Sequence, residues 1–355
     1  MKKNITIMAG ARPNFIKVAP LIRAIEKNGQ AHYSLVFAGR KDDPTLEDTL
    51  FSDLQMPWPD TYLDVDSTRL NEITAQVMGK FDSYLEQNPT DVVIVVDDLA
   101  STMAAAIVAK KRGLRLAHLV AGTRSFDIQM PKEVNRLVID ALSDYLFTAG
   151  VKSNIIATRE QAETSNTYMV GNILMDTLRF NYQRLKRPNI DVEEGKYLVF
   201  TLNRKALMGD EENLRKMIAA ITEAANGTPI IAPLRPQASE IVSRLTENSS
   251  LITFCPSLPY LEFGWLTAHA KGIITDSGNV AEEATFNNVP CITLNSYTEH
   301  QETVTVGTNV LVGENPQRLG EEVRHMVSGQ WKQGALPDRW DGRTAERIVS
   351  ILLEN

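Results

Sequence analysis

The feature of the sequence that most constrains the fold is a repeated alternation of short apolar runs with segments of helical periodicity. It is clearest at 271–308, where the apolar run 272–275 is followed by a helix-like segment, 280–287, and by a second apolar run, 290–294. Each run is short enough to be a buried strand. Strand, helix and strand in this order form the unit from which parallel sheets are wound.

The same alternation extends over the rest of the chain in two blocks. Strands are predicted at 4–10, 32–38, 91–96, 115–120, 145–149, 168–170, 197–202, 229–233, 251–254 and 309–312. Helices are predicted at 14–28, 70–87, 103–112, 132–142, 171–186, 211–225, 238–248, 260–270, 317–328 and 344–354. Because the strands are continuously apolar, we expect each block to form a parallel sheet covered by helices on both faces.

A polar segment at 187–196 separates the two blocks. We therefore expect an α/β protein with two doubly wound, Rossmann-like domains facing a cleft, at 1–186 and 187–335. Residues 336–355 are expected to form a C-terminal helix that packs back on the N-terminal domain. In such sheets, ligands bind beyond the carboxyl ends of the strands. Polar residues cluster there, namely Arg12, Asp97, Asp98, Arg124, Asn203, Arg204, Arg235, Ser277 and Glu299.

Composition excludes some classes of partner. The chain of 355 residues has a net charge of -7 and a pI near 5.4, which argues against nucleic acid or an anionic membrane as a general partner. It has no apolar stretch of ~18 residues, and Arg12 and Lys17 follow the start too closely for a secretory signal, so we expect a cytoplasmic protein. The two cysteines, Cys255 and Cys291, lie in apolar runs and are expected to be buried, reduced thiols.

The turn at 276–278 has two interpretations. A Ser-Gly turn at the start of a helix points free backbone N–H groups outward and can hold a phosphate without a cationic side chain. Glu282 or Glu283 would then reach a ribose hydroxyl. In the alternative, which spacing alone favours, Ser277 caps the helix and the two glutamates complement its dipole.

Five segments carry the most specific motifs of the chain. They are GARPNFIKVAP (10–20), PKEVNR (131–136), GNILMD (171–176), TDSGNVAEEAT (275–285) and PCITLNSYTEHQETVTVGTNVLVG (290–313). Together they resemble the non-hydrolysing UDP-N-acetylglucosamine 2-epimerase family, and the similarity runs nearly from end to end. The resemblance implies a two-domain fold of the GT-B type, a homodimer, and a reaction that needs neither nicotinamide nor metal, so no cofactor is expected.

The resemblance also implies a UDP-sugar, UDP-N-acetylglucosamine or a similar compound, bound in the interdomain cleft. The implied substrate-binding residues are Arg12, Lys17, Arg204, Tyr260, Phe263, Ser277, Gly278, Glu283 and Glu299. In this set the Ser-Gly turn would contact the diphosphate, the glutamate would contact the ribose, and Arg12 would reach across from the other domain. The two aromatic side chains would lie near the uracil, with core packing as the alternative for at least one of them.

The chain departs from the family's pattern where the chemistry takes place. The family reaction removes the C2 proton, expels UDP to give a glycal and adds UDP back, which requires carboxylates as acids and bases. Val120 stands at the glutamate of His-Val-Glu-Ala-Gly, Lys132 at the first glutamate of Pro-Glu-Glu, and Asn203 at the histidine of Thr-x-His-Arg. Candidate catalytic residues are therefore Asp98, Lys132, Glu133, Arg136 and Asn203.

Two consequences of these departures are expected. The side chains at 120, 132 and 203 should line the cleft near the sugar, and Lys132 should hold the diphosphate or lower the pKa of Asp98 and Glu133. The segment 37–40 also departs from the Thr-Gly-Gln-His that in many family members helps to bind a second, regulatory UDP-N-acetylglucosamine.

Three functions are compatible with these residues. The first is a weakened UDP-N-acetylglucosamine 2-epimerase. The second is an enzyme with changed chemistry, namely glycosyl transfer or glycal formation, and the third is a nucleotide-sugar-binding paralogue without catalysis. We favour a UDP-sugar-binding member whose epimerase activity is weak or absent.

Overall fold

Buried apolar runs pair side by side as parallel strands in two separate sheets. The structure, a computed structural model, describes residues 2–161, 165–246 and 250–354. The chain divides into unit 1, Met1–Phe180 with Asp338–Asn355, and unit 2, Asn181–Pro337. The division therefore falls at 180/181 and 337/338, beside predicted boundaries at 186/187 and 335/336.

The two sheets have the same kind of topology. The strands are β1 (Lys3–Ala9), β2 (Ala31–Phe37), β3 (Thr61–Tyr62), β4 (Val92–Val96), β5 (Arg115–Ala121), β6 (Tyr145–Thr148), β7 (Asn166–Met169), β8 (Leu198–Phe200), β9 (Ile230–Pro233), β10 (Ile252–Cys255), β11 (Gly272–Thr275), β12 (Cys291–Thr293) and β13 (Asn309–Leu311). Their order is β3-β2-β1-β4-β5-β6-β7 in unit 1 and β10-β9-β8-β11-β12-β13 in unit 2. Neighbouring strands pair in parallel. The predicted α/β class with two Rossmann-like domains is confirmed, whereas the predicted cleft stays a prediction.

Helices connect these strands. They are α1 (Arg12–Asn28), α2 (Asp48–Leu54), α3 (Leu70–Gln87), α4 (Ala100–Lys111), α5 (Pro131–Leu142), α6 (Val151–Glu160), α7 (Ile173–Asn181), α8 (Lys205–Gly209), α9 (Glu211–Ala224), α10 (Pro236–Leu245), α11 (Tyr260–Ala268), α12 (Gly278–Asn287), α13 (Glu302–Thr305), α14 (Pro316–Val327) and α15 (Thr344–Glu354). Of the helix predicted at 238–248, residues 247 and 248 lie outside the described residues.

The strand order reverses at one point in each sheet. In unit 1 this point lies between β1 and β4, which pair from Ile5 with Val92 to Met8 with Val95. In unit 2 it lies between β8 and β11. Connections leave in opposite directions at such a point, so a crevice opens beyond the carboxyl ends of the two strands. Four of the candidate site residues, Arg12, Asp98, Asn203 and Ser277, lie within three residues of the ends of these strands.

The C-terminal helix α15 belongs to unit 1, where it packs on α1. Asp176 of α7 accepts hydrogen bonds from the backbone N–H groups of Thr344, at 3.0 Å, and Ala345, at 2.8 Å. A carboxylate at these N–H groups satisfies the start of the helix. The buried indole of Trp340 donates from Nε1 to the carbonyl oxygen of Ala149 at 3.0 Å. These bonds attach the C-terminal segment to the N-terminal unit.

Within the described ranges, no helix is long and apolar enough to span a membrane. Both cysteines are free, and Cys291 is buried while Cys255 is half-buried.

Candidate functional site

In unit 1, a cluster of charged side chains lies at the carboxyl ends of β1 and β4. Asp97 follows β4 and accepts hydrogen bonds from Lys17 Nζ, at 2.5 Å, and from Asn14 Nδ2, at 2.8 Å. The Asn14 Oδ1 atom in turn accepts from the backbone N–H of Gly10 at 2.9 Å. The α1 side chains therefore close the β1 turn and neutralise Asp97, so Lys17, predicted to bind substrate, is already engaged within the protein.

Asp98 is held by two cations. Its Oδ2 atom accepts from Arg136 Nε at 2.8 Å and Nη2 at 2.6 Å, and its Oδ1 atom lies 3.2 Å from Lys132 Nζ. Burial acts to raise the pKa of Asp98, but the charges of Lys132 and Arg136 outweigh it and hold the pKa below its usual value. The predicted effect of Lys132 on Asp98 is therefore present, and Asp98 is a firmly ionised carboxylate.

Glu133 closes the loop between β5 and α5. Its carboxylate accepts from the backbone N–H groups of Ser125 at 2.8 Å and Phe126 at 3.0 Å, from Ser125 Oγ at 2.9 Å, and from Arg136 Nη1 at 3.1 Å. Burial opposes ionisation, and these donors nevertheless keep the pKa of Glu133 low. The donors that lower it most are Ser125, Phe126 and Arg136. The side chain is buried, so this geometry positions a loop.

Val120 occupies an unusual backbone conformation at the end of β5. Its φ is 75°, in the left-handed region, and the register with β6 shifts between Leu119 and Ala121. A β-branched residue rarely adopts a positive φ, and bulges at strand ends re-aim the local side chain. The half-buried side chain of Val120 offers an apolar surface with no titratable group at this position.

A buried network behind Asp97 was not predicted from the sequence. His118 Nδ1 lies 2.5 Å from Asp140 Oδ1, and His118 Nε2 donates to the carbonyl oxygen of Asp97 at 3.0 Å. Arg124 Nη1 pairs with the other Asp140 oxygen at 2.7 Å. Burial acts against the charge of Asp140, yet His118 and Arg124 lower its pKa. The sequence contained one indication of this network. Asp140 follows Arg136 by one helical turn and therefore lies on the same face of α5.

In unit 2, the Ser277-Gly278 turn follows β11 and opens α12. The hydroxyls of Thr201 and Thr275 lie 2.6 Å apart, and Thr275 Oγ1 accepts from the backbone N–H of Ser277 at 3.0 Å. Ser277 is the N-cap residue of α12, but its side chain makes no capping hydrogen bond, so the interpretation of Ser277 as a side-chain cap is wrong. A Cβ added at Gly278 would meet open space. The turn is therefore accessible to a ligand.

Asp276 fixes the end of β8 beside this turn. Its Oδ2 atom accepts from the backbone N–H groups of Asn203 at 2.7 Å and Arg204 at 2.6 Å. The Arg204 guanidinium donates to Asn295 Oδ1 at 2.7 Å and pairs with Glu314. The Asn203 side chain is exposed. The side chain of Arg204, which was predicted to bind substrate, is thus engaged by other residues of the protein.

Two glutamates lie side by side in the second turn of α12, where they are buried. Glu283 is 7% exposed, and burial together with the neighbouring Glu282 raises its pKa to about 8. Glu283 is therefore mostly protonated at neutral pH, and a protonated carboxyl can both donate and accept a hydrogen bond. His300 Nε2 lies 3.3 Å from Glu282 Oε1. Glu299, the predicted neighbour, is half-buried.

The remaining predicted residues differ in their surroundings. Arg12 is the first residue of α1 and half-buried, and it forms no ion pair within the part of the chain that the structure describes. Tyr260 begins α11. Phe263, one turn later, packs against the core around Tyr197 and Trp265, which matches the alternative of core packing for one aromatic. No set of three or more histidine, cysteine, aspartate or glutamate side chains suited to a metal occurs among the described residues.

The segment 37–40 ends at an arginine that is engaged by acidic neighbours. Arg40 pairs with Asp42 at 2.8 Å and with Asp66 at 3.2 Å. These residues line a groove of about 780 Å³ together with Ser67, Arg69 and Glu72.

The fold and the two clusters define the class: α/β proteins of the GT-B type, whose two parallel sheets carry charged residues at their carboxyl edges. The crystal structure of Methanocaldococcus jannaschii UDP-GlcNAc 2-epimerase in complex with UDP-GlcNAc and UDP is similar, with a TM-score of 0.86 and 31% identity over 99% of this chain and 100% of that one. Two relatives match over most of their length. The UDP-N-acetylglucosamine 2-epimerase of M. jannaschii is 33% identical over 98% of each chain, and the UDP-2,3-diacetamido-2,3-dideoxy-D-glucuronate 2-epimerase of Pseudomonas aeruginosa is 31% identical over 91% of each.

The model of the UDP-N-acetylglucosamine 2-epimerase family matches residues 23–353. The chain therefore belongs to this family, as the resemblance of its motifs predicted.

Proposed function

We propose that the chain binds a UDP-sugar and that its C2 epimerase activity is weak or absent. The observation that supports weak or absent activity is the state of Asp98, a candidate catalytic carboxylate, which two cations hold in its ionised form. A base with a lowered pKa has little driving force to take a proton from carbon. Glu133, the other candidate base, uses its carboxylate oxygens to accept hydrogen bonds from the loop after β5.

The groups around Asp98 support the same conclusion. Val120 cannot carry a proton, and Lys132 presents an ammonium in place of a carboxylate. Removing one positioned acid or base typically costs ~10²–10⁴-fold in rate. Such losses are not additive, but together they leave little of the family reaction.

Binding of the nucleotide is proposed for the turn in unit 2. The N–H groups at the start of α12 favour an anion, and the Ser277 hydroxyl is not used as a cap. Glu283 lies in the same helix, one turn further on, with a raised pKa that lets it exchange hydrogen bonds with a ribose hydroxyl. The similar M. jannaschii structure is a complex with UDP-GlcNAc and UDP, which supports the ligand class.

Two measurements test this proposal. Ligand binding at a hundredfold excess over Kd stabilises a native state by ~2.7 kcal/mol, so UDP or UDP-N-acetylglucosamine should raise the melting temperature. The absence of any shift at millimolar ligand would contradict binding. Proton NMR in D₂O with UDP-N-acetylglucosamine should show slow or no deuterium incorporation at C2, and turnover at ~1–10³ s⁻¹, typical of enzymes, would contradict the weak-activity part.

A paralogue without catalysis is the second candidate, and the pairing of Asp98 favours it. The same NMR sample separates it from an enzyme with changed chemistry. Glycal formation would release UDP, and so would glycosyl transfer once an acceptor sugar is added to the sample. Chromatography of the reaction mixture detects the released UDP. No deuterium at C2 and no free UDP would identify a binding protein.

We also propose that the chain forms a homodimer through α4. Residues 103–109 of this helix are all apolar, as expected of a helix segment that is buried all round, yet Met103 and Ile107 on one face remain half-exposed. Light scattering should give about twice the chain mass of 39.5 kDa, and Met103→Glu should give the monomer. A wild-type monomer would contradict this assignment.

We further propose a cytoplasmic location, because two free cysteines are typical of a reducing compartment. Cell fractionation with an antibody to the chain would test it, and recovery among secreted proteins would contradict it.

A further inference from the structure

A cavity of about 740 Å³ lies within unit 1, and none of its lining residues belongs to the candidate site. It is formed by the second half of α1, the end of α7, and α15 with the residues just before that helix. Since α1 connects two parallel strands, it starts after the end of β1 and runs back to the start of β2. Its second half therefore lies away from the carboxyl edge of the sheet. The volume is typical of small-molecule sites, which span ~300–1,000 Å³.

Most of the charged side chains that line this cavity are cations. Four are basic and two are acidic, a surplus of two positive charges, namely Arg23, Lys27, Arg179 and Arg343 against Asp176 and Glu346. Both acids already have donors from the protein. Asp176 accepts from the backbone N–H groups at the start of α15, and Glu346 lies 3.3 Å from Lys27 Nζ. In a chain whose net charge is -7, this cavity is therefore locally suited to an anion.

Two of the arginines can donate to a ligand. Within the described part of the chain, no hydrogen bond or ion pair engages the guanidinium of Arg343, and this side chain is exposed. Arg179 donates from Nη1 to the carbonyl oxygen of Asp341 at 2.6 Å. Its stem packs so closely on the chain that a Cβ added at Gly342 would lie 2.7 Å from Arg179 Cδ. A guanidinium has five N–H donors, in a planar arrangement that matches two oxygens of a phosphate or a carboxylate.

The cavity also offers apolar surface to the body of a ligand. Pro20, Ala24 and Val349 line it together with Phe180, which is 36% exposed. Arg23 Cζ lies 3.8 Å from the centroid of the Phe180 ring, a cation–π contact that holds the ring in place. A ligand that uses the whole cavity therefore has an anionic head and an apolar body.

We propose that this cavity binds a small phosphate monoester with an apolar body. A phosphate monoester carries a charge of about -1.5 to -2 at neutral pH, which matches the surplus of two, and it has three strong acceptor oxygens for the guanidinium groups. A monocarboxylate brings only one charge and two oxygens. This inference concerns unit 1 alone and is independent of the proposed function.

Calorimetric titration of the full chain at low salt with three probes tests the proposal. Phenyl phosphate has both the head and the body, inorganic phosphate lacks the body, and phenylacetate replaces the phosphate by a carboxylate. Phenyl phosphate should bind most tightly. Arg343→Gln should weaken it about fivefold, the upper end for one solvent-exposed ion pair, and this effect should shrink at high salt. Arg159→Gln, an equal loss of charge at the exposed end of α6 in the same unit, is the matched control and should bind as the wild type does.

Three results would overturn the inference. The first is that the wild type does not bind phenyl phosphate at millimolar concentration. The second is that Arg343→Gln binds it as tightly as Arg159→Gln does, because the phosphate is then held elsewhere, for example at the start of α12. The third is that inorganic phosphate or phenylacetate binds as tightly as phenyl phosphate, because the ligand class is then wrong.

Discussion

Replacement of Asp98 by asparagine tests whether this carboxylate is held in buried ion pairs or is unpaired and available as a base. The change keeps the shape of the side chain and removes the charge that faces Arg136, whose side chain is 5% exposed. Breaking a buried ion pair costs ~3–5 kcal/mol. Because Glu133 still accepts from Arg136 at 3.1 Å, we expect the low end, a loss of about 3 kcal/mol in the free energy of unfolding.

The effect should depend on pH in a defined direction. The cations Lys132 and Arg136 overcome the burial of Asp98 and hold its pKa below the usual 3.8. A carboxyl whose pKa is lower in the folded state adds stability above its unfolded pKa, and this stability is lost as the pH falls through the folded pKa. The difference between wild type and Asp98→Asn should therefore be complete at pH 7 and should shrink below about pH 4.

Denaturant unfolding followed by circular dichroism at several pH values measures this difference. Asp82→Asn is the control, because Asp82 is 50% exposed and pairs with Arg112 at the surface, where such a pair contributes ~1 kcal/mol or less. An Asp98→Asn protein as stable as the wild type at pH 7 would refute the buried pairing, and with it the argument that Asp98 is a poor base.

Three further outcomes are expected. The triple variant Val120→Glu, Lys132→Glu and Asn203→His should raise the rate at which UDP-GlcNAc and UDP-ManNAc interconvert, as seen by NMR. Each single change should do little, because the effects of groups that act together in one step are not additive. A triple variant no faster than the wild type would contradict this. Arg12→Ala should weaken UDP binding in calorimetry by ~1.5–3 kcal/mol, and unchanged affinity would contradict a role of Arg12 in binding UDP. Burial raises the pKa of Asp176 from 3.8 to about 6, so the stability that its carboxyl gives is complete below about pH 4 and is lost as the pH rises through about 6. The stability of the wild type should therefore fall relative to Asp176→Asn over that range, and a difference independent of pH would refute it.

The positions of the strands were predictable because most of the strands are continuous apolar runs in the sequence. The five residues of β4, VVIVV, are all buried, and such a run identifies a strand covered on both faces. The short elements β3, α8 and α13 were not predicted, because a strand of two residues or a helix of one turn has no period to detect.

The kinds of side chain at the site were predictable, but their partners were not. Asp97 was expected among the polar residues beyond the strand ends, and its partner Lys17 lies 80 positions away. Only the pairing of β1 with β4 brings these two together. Glu133 was expected to act in catalysis, and its bonds to the loop at Ser125 depend on how β5 leaves the sheet. The sequence shows which charged residues are present. The pairing of strands decides which of these residues contact each other and which remain available to a ligand.

At Val120 the conformation of the main chain is independent of the side chain that it carries. A valine at a φ of 75° works against its own conformational preference, so valine cannot be the cause of the bulge. Neighbouring groups hold it instead. Thr123 Oγ1 donates to the carbonyl oxygen of Val120 at 3.2 Å, and Asp140 accepts from the backbone N–H of Gly122 at 3.0 Å. An unbranched side chain suits this backbone better than valine does, and a carboxylate introduced at 120 would therefore be carried by a backbone that is already in place.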